Sequence, residues 1–81
     1  GLGNQEFPVP NLVNMPADEA MTLLAGQGLT VGEKFYQPAE EGQTEGTIVK
    51  QRPAPGPGTT IRMGQLVDLW IAGKEPVSAV E

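Results

Sequence analysis

A single short helical pattern, bounded by helix-breaking residues, limits what this chain can fold into. Pro16 suits the first position of a helix, where its missing N–H costs nothing, and Asp18 and Glu19 follow where the helix dipole favours negative charge. Gly26 and Gly28 end the pattern. Four apolar residues recur at helical spacing between these breakers: Ala17, Ala20, Leu23 and Leu24. A helix of about three turns does not persist alone, so we expect its apolar stripe to pack on a sheet.

Three segments outside the helix are rich in β-forming residues: 29–36, 46–52 and 66–71. A polar loop, 37–45, separates the first two, and a run of proline and glycine that begins at Pro53 separates the last two. One helix on one face of a sheet is the smallest two-layer arrangement. We therefore predict an α+β fold, in which a single helix packs on one face of a three-stranded antiparallel sheet, in the order helix-strand-strand-strand.

The predicted core is small and consists of inward-facing apolar residues: Leu12, Ala20, Leu23, Leu24, Leu29, Val31, Ile48, Val67, Leu69 and Ile71. The 81 residues are enough for one domain, which we place at 9–73. Residues 1–8 are predicted to be a linker or cloning remnant, and residues 74–81 an exit linker. A domain of this size buries only about 60% of its unfolded surface, which leaves few residues for an enclosed active site.

The net charge of −5 bears on which partners the chain can have. Nucleic acids and anionic membrane surfaces call for a basic face, so we expect neither as a partner. The chain also lacks an apolar run of about 20 residues, and we expect no membrane insertion by this segment. In isolation the domain is expected to be a monomer.

The residue types that carry most catalytic chemistry are missing. The chain has no histidine and no cysteine, and its one serine, Ser78, lies near the C-terminus, so neither a Ser-His-Asp nor a Cys-His arrangement can be built. The acidic cluster Glu40, Glu41 and Glu45 does not have the spacing of a calcium-binding loop, and we interpret it as a solvated loop. The sequence therefore predicts a protein that is not an enzyme and that needs no metal or cofactor.

The segment 66–71 supplies the first candidate for a binding site. With the period of two of a strand, Val67, Leu69 and Ile71 share the face that packs on the helix, whereas Asp68 and Trp70 point to the opposite face. A tryptophan on a sheet face that no helix covers is a place where a sugar ring or a protein partner can stack. The alternative is that Trp70 packs under Tyr36, a loop or a proline.

The segment 46–52 supplies two cations. Lys50 and Arg52 are two residues apart and share a face, and arginine in particular suits bidentate binding of the carboxylates of a peptide. The alternative is an ordinary cross-strand ion pair with Asp68 or Glu33. If strand pairing brings these cations beside Trp70, then Trp70, Arg52, Lys50 and Asp68 form one candidate ligand-binding surface.

The order of the short motifs resembles the PASTA family, a module of bacterial penicillin-binding proteins and membrane serine/threonine kinases. The matching pieces span residues 9–72: Val9-Pro10-Asn11-Leu12-Val13, Glu19-Ala20, Leu23-Leu24, Gly28-Leu29-Thr30-Val31-Gly32, Gly46-Thr47-Ile48-Val49-Lys50-Gln51-Arg52-Pro53-Ala54-Pro55-Gly56, Gly64 and Leu66-Val67-Asp68-Leu69-Trp70-Ile71. Asn14 stands where the family usually has glycine, and asparagine tolerates a left-handed backbone.

The resemblance implies the same helix-on-sheet fold and a noncatalytic role. The resemblance also implies that the domain is extracytoplasmic, in the periplasm or at the cell surface. It further implies that the domain recognises peptidoglycan fragments (the muropeptide stem, or β-lactam-like ligands) for a larger cell-wall protein. That protein would be anchored through a segment outside these residues. The alternative that the family leaves open is a structural spacer, or a module that docks on a parent or neighbouring cell-wall protein without any small-molecule ligand.

Overall fold

The computed structural model describes residues 6–76 and has one helix and five strands. In chain order the elements are β1 (Glu6–Pro8), α1 (Ala17–Gly26), β2 (Thr30–Gln37), β3 (Ile48–Arg52), β4 (Thr60–Arg62) and β5 (Leu66–Ala72). The predicted α+β class is confirmed: a single helix accompanies a three-stranded sheet made of β2, β3 and β5.

Helix α1 ends at Gly26, as the sequence predicts, and begins at Ala17, one residue after the predicted start at Pro16. Pro16 caps the helix start, and the N–H of Ala17 donates to the carbonyl of Gly46 at 2.8 Å, which ties that start to the loop two residues before β3. Gly28 has a φ of 77°, the left-handed conformation that glycine adopts without steric cost. Ala20 and Leu24 are fully buried, so the apolar stripe packs on the sheet as expected.

The prediction of an all-antiparallel sheet is wrong for one of the two strand pairs. The strand order is β2-β5-β3; β3 pairs antiparallel with β5, but β2 pairs parallel with it. The sequence left the order of the strands in the sheet open, and antiparallel pairs are the more common kind. Here the loop of residues 38–47 crosses to the far edge, which leaves the central position to β5, the strand with the most buried side chains.

A second, two-stranded sheet was not predicted. Strand β1 pairs antiparallel with β4, with Phe7 opposite Ile61. Ile61 is 1% exposed and joins the core, together with Val9 and Ala72, which the predicted core also lacked. Residues 6–8, placed in the linker by the sequence, thus form β1; residues 1–5 and 77–81 of the two predicted linkers lie outside the described residues.

The N-terminal segment is fastened to the sheet by one buried amide. Gln51 is 3% exposed, and its Oε1 accepts the N–H of Leu12 at 2.7 Å. Its Nε2 donates to the carbonyls of Pro10 at 2.8 Å and Pro53 at 3.1 Å. Because a buried amide must find partners for its polar atoms, the two bonds to Leu12 and Pro10 fix residues 10–12 against β3.

Candidate functional site

The central strand β5 presents its two faces as the sequence predicts. Val67 and Leu69 are fully buried under α1, whereas Asp68 and Trp70 lie on the opposite side and are half-buried. We call this opposite side the open face, formed by Phe35, Lys50, Arg52, Asp68 and Trp70. Each of its members is placed there by the register of its strand.

A bulge in β2 brings Phe35 to the open face. Val31 is opposite Val67, but Lys34 is opposite Leu69, so three residue steps on β2 match two on β5. The extra residue shifts the alternation, and Phe35 becomes the partner of Trp70. The two rings are stacked, with centroids 4.7 Å apart and an interplanar angle of 24°.

Lys50 and Arg52 reach Trp70 from the other flank, because β3 and β2 lie on opposite sides of β5. Lys50 is opposite Trp70 in the register, and its Nζ lies 4.8 Å from the centroid of the indole ring. The guanidinium carbon of Arg52 lies 5.4 Å from the same centroid. Both are cation–π distances. The structure therefore places all four predicted residues, Trp70, Lys50, Arg52 and Asp68, beside one another.

Asp68 is held by both neighbouring strands. One carboxylate oxygen, Oδ1, accepts the N–H of Glu33 in the bulge of β2 at 2.8 Å. The other, Oδ2, accepts from Nε of Arg52 at 3.0 Å and from its Nη2 at 2.6 Å. The Glu33 N–H first, and then Arg52, hold the pKa of Asp68 below its ordinary value of 3.8. The cross-strand ion pair that the sequence allowed as an alternative is thus present, with Asp68 as the partner of Arg52.

The predicted surface relied on the ring of Trp70, whereas in the open face the more accessible ring is that of Phe35. Trp70 is flanked by Phe35 on one side and by the two cations on the other, and the alternative in which it packs under Tyr36 is wrong. Phe35, on the edge strand, is 38% exposed. Phe35 was not among the predicted site residues, although Gly32 inside a strand pattern was a signal for a bulge. Among the described residues Lys50 has no ion-pair partner.

A groove lies on the helix side of the sheet, away from the open face. It has a volume of about 520 Å³ and is walled by the start of α1, by Tyr36 and by residues 71–74 and Pro76 at the end of the described chain. Two smaller depressions of about 420 and 500 Å³ share Tyr36. Its lining includes the apolar residues Ile71 and Met21 together with Lys34.

Neither a metal centre nor a membrane span appears in the described part of the chain. Within residues 6–76 no three or more acidic side chains gather closely enough to hold a metal ion, so Glu40, Glu41 and Glu45 do not converge. Helix α1, the one helix in that range, is too short to cross a bilayer.

Comparisons with known proteins agree with this architecture. Among curated proteins no sequence matches the chain. The extracellular region of the Ser/Thr kinase PrkC from Staphylococcus aureus has a similar structure, with a TM-score of 0.70 and 18% sequence identity. The match covers 84% of this chain and 22% of the kinase region, so the chain spans under a quarter of that relative. At this identity the likeness shows the fold.

The sequence itself carries the assignment. The family profile described as PASTA domain matches residues 7–73, which run from the middle of β1 to the residue after β5. The match therefore includes every strand of the three-stranded sheet, the helix and all five residues of the open face. This chain belongs to the PASTA family.

Proposed function

We propose that this domain is an extracytoplasmic module that binds peptidoglycan fragments through its open face, on behalf of a larger cell-wall protein. The PASTA module is itself noncatalytic. The observation that carries the proposal is the row across the sheet, in which Phe35 and Trp70 stack and Lys50 and Arg52 lie beside them. A muropeptide combines sugar rings, which stack on aromatic side chains, with carboxylates, which bind cations.

The charge distribution supports an anionic ligand at this face. The whole chain carries −5, yet two of its five cations, Lys50 and Arg52, lie together on the open face. Asp68 offsets the charge of Arg52, to which it is bound at 2.6 Å. Lys50 remains as the cation free to meet a carboxylate of the stem peptide.

The accessible aromatic surface is that of Phe35. Because Trp70 already has neighbours on both flanks, a ligand ring would stack on Phe35, with Trp70 as its support. A site of this kind is shallow, so we expect weak binding, with a dissociation constant near the millimolar range, or about −4 kcal/mol. Tandem copies would strengthen it through effective concentration.

Three variants test the proposal by NMR titration with a soluble muropeptide that carries a complete stem peptide. Phe35→Ala and Lys50→Ala should each weaken binding by about tenfold, since a stacking or charge-assisted contact is worth about 1–1.5 kcal/mol. Lys34→Ala removes one positive charge from the helix side and is the matched control; it should leave binding unchanged. Equal affinities for all three variants would overturn the proposal.

Two further probes test the sugar and the carboxylates of the ligand separately. The disaccharide without a peptide reports on stacking alone, and a stem peptide with amidated carboxylates reports on the charge. We expect amidation to abolish the difference between the wild type and Lys50→Ala, because Lys50 then has no anion to bind.

A second candidate function is that of a spacer that docks on a neighbouring cell-wall protein domain. The groove of about 520 Å³ beside Tyr36 favours it, since that groove lies where the described chain ends and where a following domain would approach. This candidate requires contacts around Tyr36 and none with muropeptide. If the wild-type domain binds the muropeptide and Phe35→Ala weakens that binding, then acting as a spacer is not the sole function of the domain.

A further inference from the structure

The composition of the open face depends on one extra residue in β2. If the pairing of Val31 with Val67 continued without a bulge, Phe35 would be opposite Ile71 on the helix side. Lys34 would then be opposite Trp70. The bulge between residues 31 and 34 is therefore what exchanges a lysine for a phenylalanine beside the tryptophan.

The bulge is fixed by a contact that only glycine permits. The N–H of Glu33, in the bulge, donates to Oδ1 of Asp68 at 2.8 Å. A Cβ added at Gly32 would collide with the same oxygen. The carboxylate of Asp68 can approach the β2 backbone because residue 32 has no side chain.

The same carboxylate also holds β3. Its second oxygen binds Arg52 through Nε and Nη2, and the guanidinium lies over Trp70. One side chain on the central strand thus connects the bulge on one edge strand with the cation on the other. The Asp68 side chain is only 17% exposed, against 65% for Arg52.

We propose that Gly32 and Asp68 are positioning residues: they lock the bulge that presents Phe35 on the open face, and the ligand touches Phe35 and Lys50 rather than Asp68. The part that concerns the ligand rests on the proposed function; the part that concerns Phe35 does not. Both oxygens of Asp68 are engaged, and an ionised carboxylate aimed at the ligand would repel its carboxylates. The role of Asp68 is to fix the geometry and to hold Arg52.

The first test needs no ligand. In wild-type protein, NMR should show cross-peaks between the Phe35 ring and the Trp70 indole. Asp68→Ala and Gly32→Ala should reduce them by at least about half, because cross-peaks require that the rings lie close together and the bulge is what places Phe35 beside Trp70. Glu6→Gln removes a carboxylate from the other described ion pair, Glu6–Arg62, and should leave the cross-peaks intact.

Asp68→Asn separates the bond to the Glu33 N–H from the ion pair with Arg52. It also replaces the alanine variant as the test if that variant does not fold. Its Oδ1 can still accept the N–H of Glu33, so the Phe35–Trp70 cross-peaks should persist. Its amide lacks the charge that binds Arg52, so contacts between Arg52 and the indole should weaken. Persistence of all contacts in Asp68→Ala would overturn the positioning role.

A double-mutant cycle tests whether Gly32 acts through Asp68. Gly32→Ala should be harmful only while the carboxylate stands in the way of the new Cβ. The combined variant Gly32→Ala with Asp68→Ala should therefore lose no more cross-peak intensity than Asp68→Ala alone. If the two losses multiply, the two residues act independently and the proposal is wrong.

The ligand arm uses the soluble muropeptide. If Asp68 acts through Phe35, then Phe35→Ala combined with Asp68→Ala should bind no more weakly than Phe35→Ala alone. A further loss of about tenfold in the combined variant would mean that Asp68 contacts the ligand itself. If the wild type does not bind muropeptide, the proposed function fails, while the ligand-free NMR still decides whether Gly32 and Asp68 position Phe35.

Discussion

Phe35 stacks on Trp70 across the parallel pair of β2 and β5, with ring centroids 4.7 Å apart. The two residues are 35 positions apart in the sequence, and β3 and β4 intervene along the chain. Their contact closes one side of the indole, and Lys50 and Arg52 lie on its other flank. The result is a row of four side chains across all three strands, on the face that α1 does not cover.

The Phe35–Trp70 contact predicts a measurable loss of stability in Phe35→Ala. Stacked aromatic pairs contribute about 0.5–1.5 kcal/mol beyond their buried area, and part of the Phe35 ring is also buried, so we expect a loss of about 1–2 kcal/mol. Urea denaturation followed by the fluorescence of Trp70, the one tryptophan in the chain, measures this loss. The emission should also move to longer wavelength. An unchanged spectrum and unfolding midpoint would show that the rings do not stack in solution.

The buried amide of Gln51 predicts a larger effect for Gln51→Leu. The substitution leaves the N–H of Leu12 and the carbonyls of Pro10 and Pro53 without their partner. Each buried polar group without a hydrogen bond costs about 1–3 kcal/mol, so we expect a loss of about 2–4 kcal/mol.

The control for Gln51 is Gln65→Leu. Gln65 is exposed, and its side chain accepts one bond, from the N–H of Arg62 at 3.2 Å, which water can replace. Its loss should stay below about 0.5 kcal/mol. Similar unfolding midpoints in urea for the two variants would contradict a special role for the Gln51 amide.

Two glycines near the end of α1 predict opposite outcomes on substitution by alanine. Gly28 has a φ of 77°, and a Cβ there would press on the side chain of Met63, so Gly28→Ala should cost about 1–2 kcal/mol. Gly26 is the last helical residue and a Cβ there meets nothing, so Gly26→Ala should be neutral or stabilise by up to about 1 kcal/mol. Thermal unfolding by circular dichroism measures both. Equal changes in Tm would be inconsistent with the cap at Gly28.

How far the sequence predicts this structure depends on whether a feature is local. The helix, its limits and the left-handed Gly28 follow from neighbouring residues, and the shared face of Lys50 and Arg52 follows from the period of two. The central position of β5 and its parallel pairing with β2 depend on where a ten-residue loop crosses, which no local pattern encodes.

Phe35 illustrates the limit for the site. Regular alternation from Val31 places it under the helix, and only the extra residue between positions 31 and 34 turns it to the open face. That bulge depends on a partner 35 residues beyond Glu33, namely Asp68. Asp68 could therefore be predicted as a site residue from the pattern of β5 alone. Its hydrogen bond with the N–H of Glu33 in β2 could not be predicted in this way.

Acid should destabilise the fold through two carboxylates. The pKa of Asp68 is lowered by the Glu33 N–H and by Arg52, and that of Glu6 by Thr60 and then Arg62. A carboxyl whose pKa is lower in the folded state stabilises the protein fully above its unfolded pKa, and that contribution is lost as the pH falls through the folded pKa. We therefore expect the free energy of unfolding to fall as the pH drops below about 4.

Carboxylate-to-amide variants identify the groups responsible for this pH dependence. Asp68→Asn should flatten the decline below pH about 4 relative to the wild type, as should Glu6→Gln, and the combined variant should flatten it further. Urea denaturation at a series of pH values measures the slopes. A decline in Asp68→Asn as steep as in the wild type would contradict the role of the Asp68 carboxylate.

An NMR map of the residues that respond to muropeptide decides whether the open face of this PASTA domain binds its ligand. The backbone amide shifts of the wild-type domain are followed while soluble muropeptide is added to millimolar concentration. If the open face is the ligand site, the amides of Phe35, Lys50, Arg52 and Trp70 should move together, along titration curves that fit a single dissociation constant. Shifts confined to the groove around Tyr36, or no shifts at all, would contradict it.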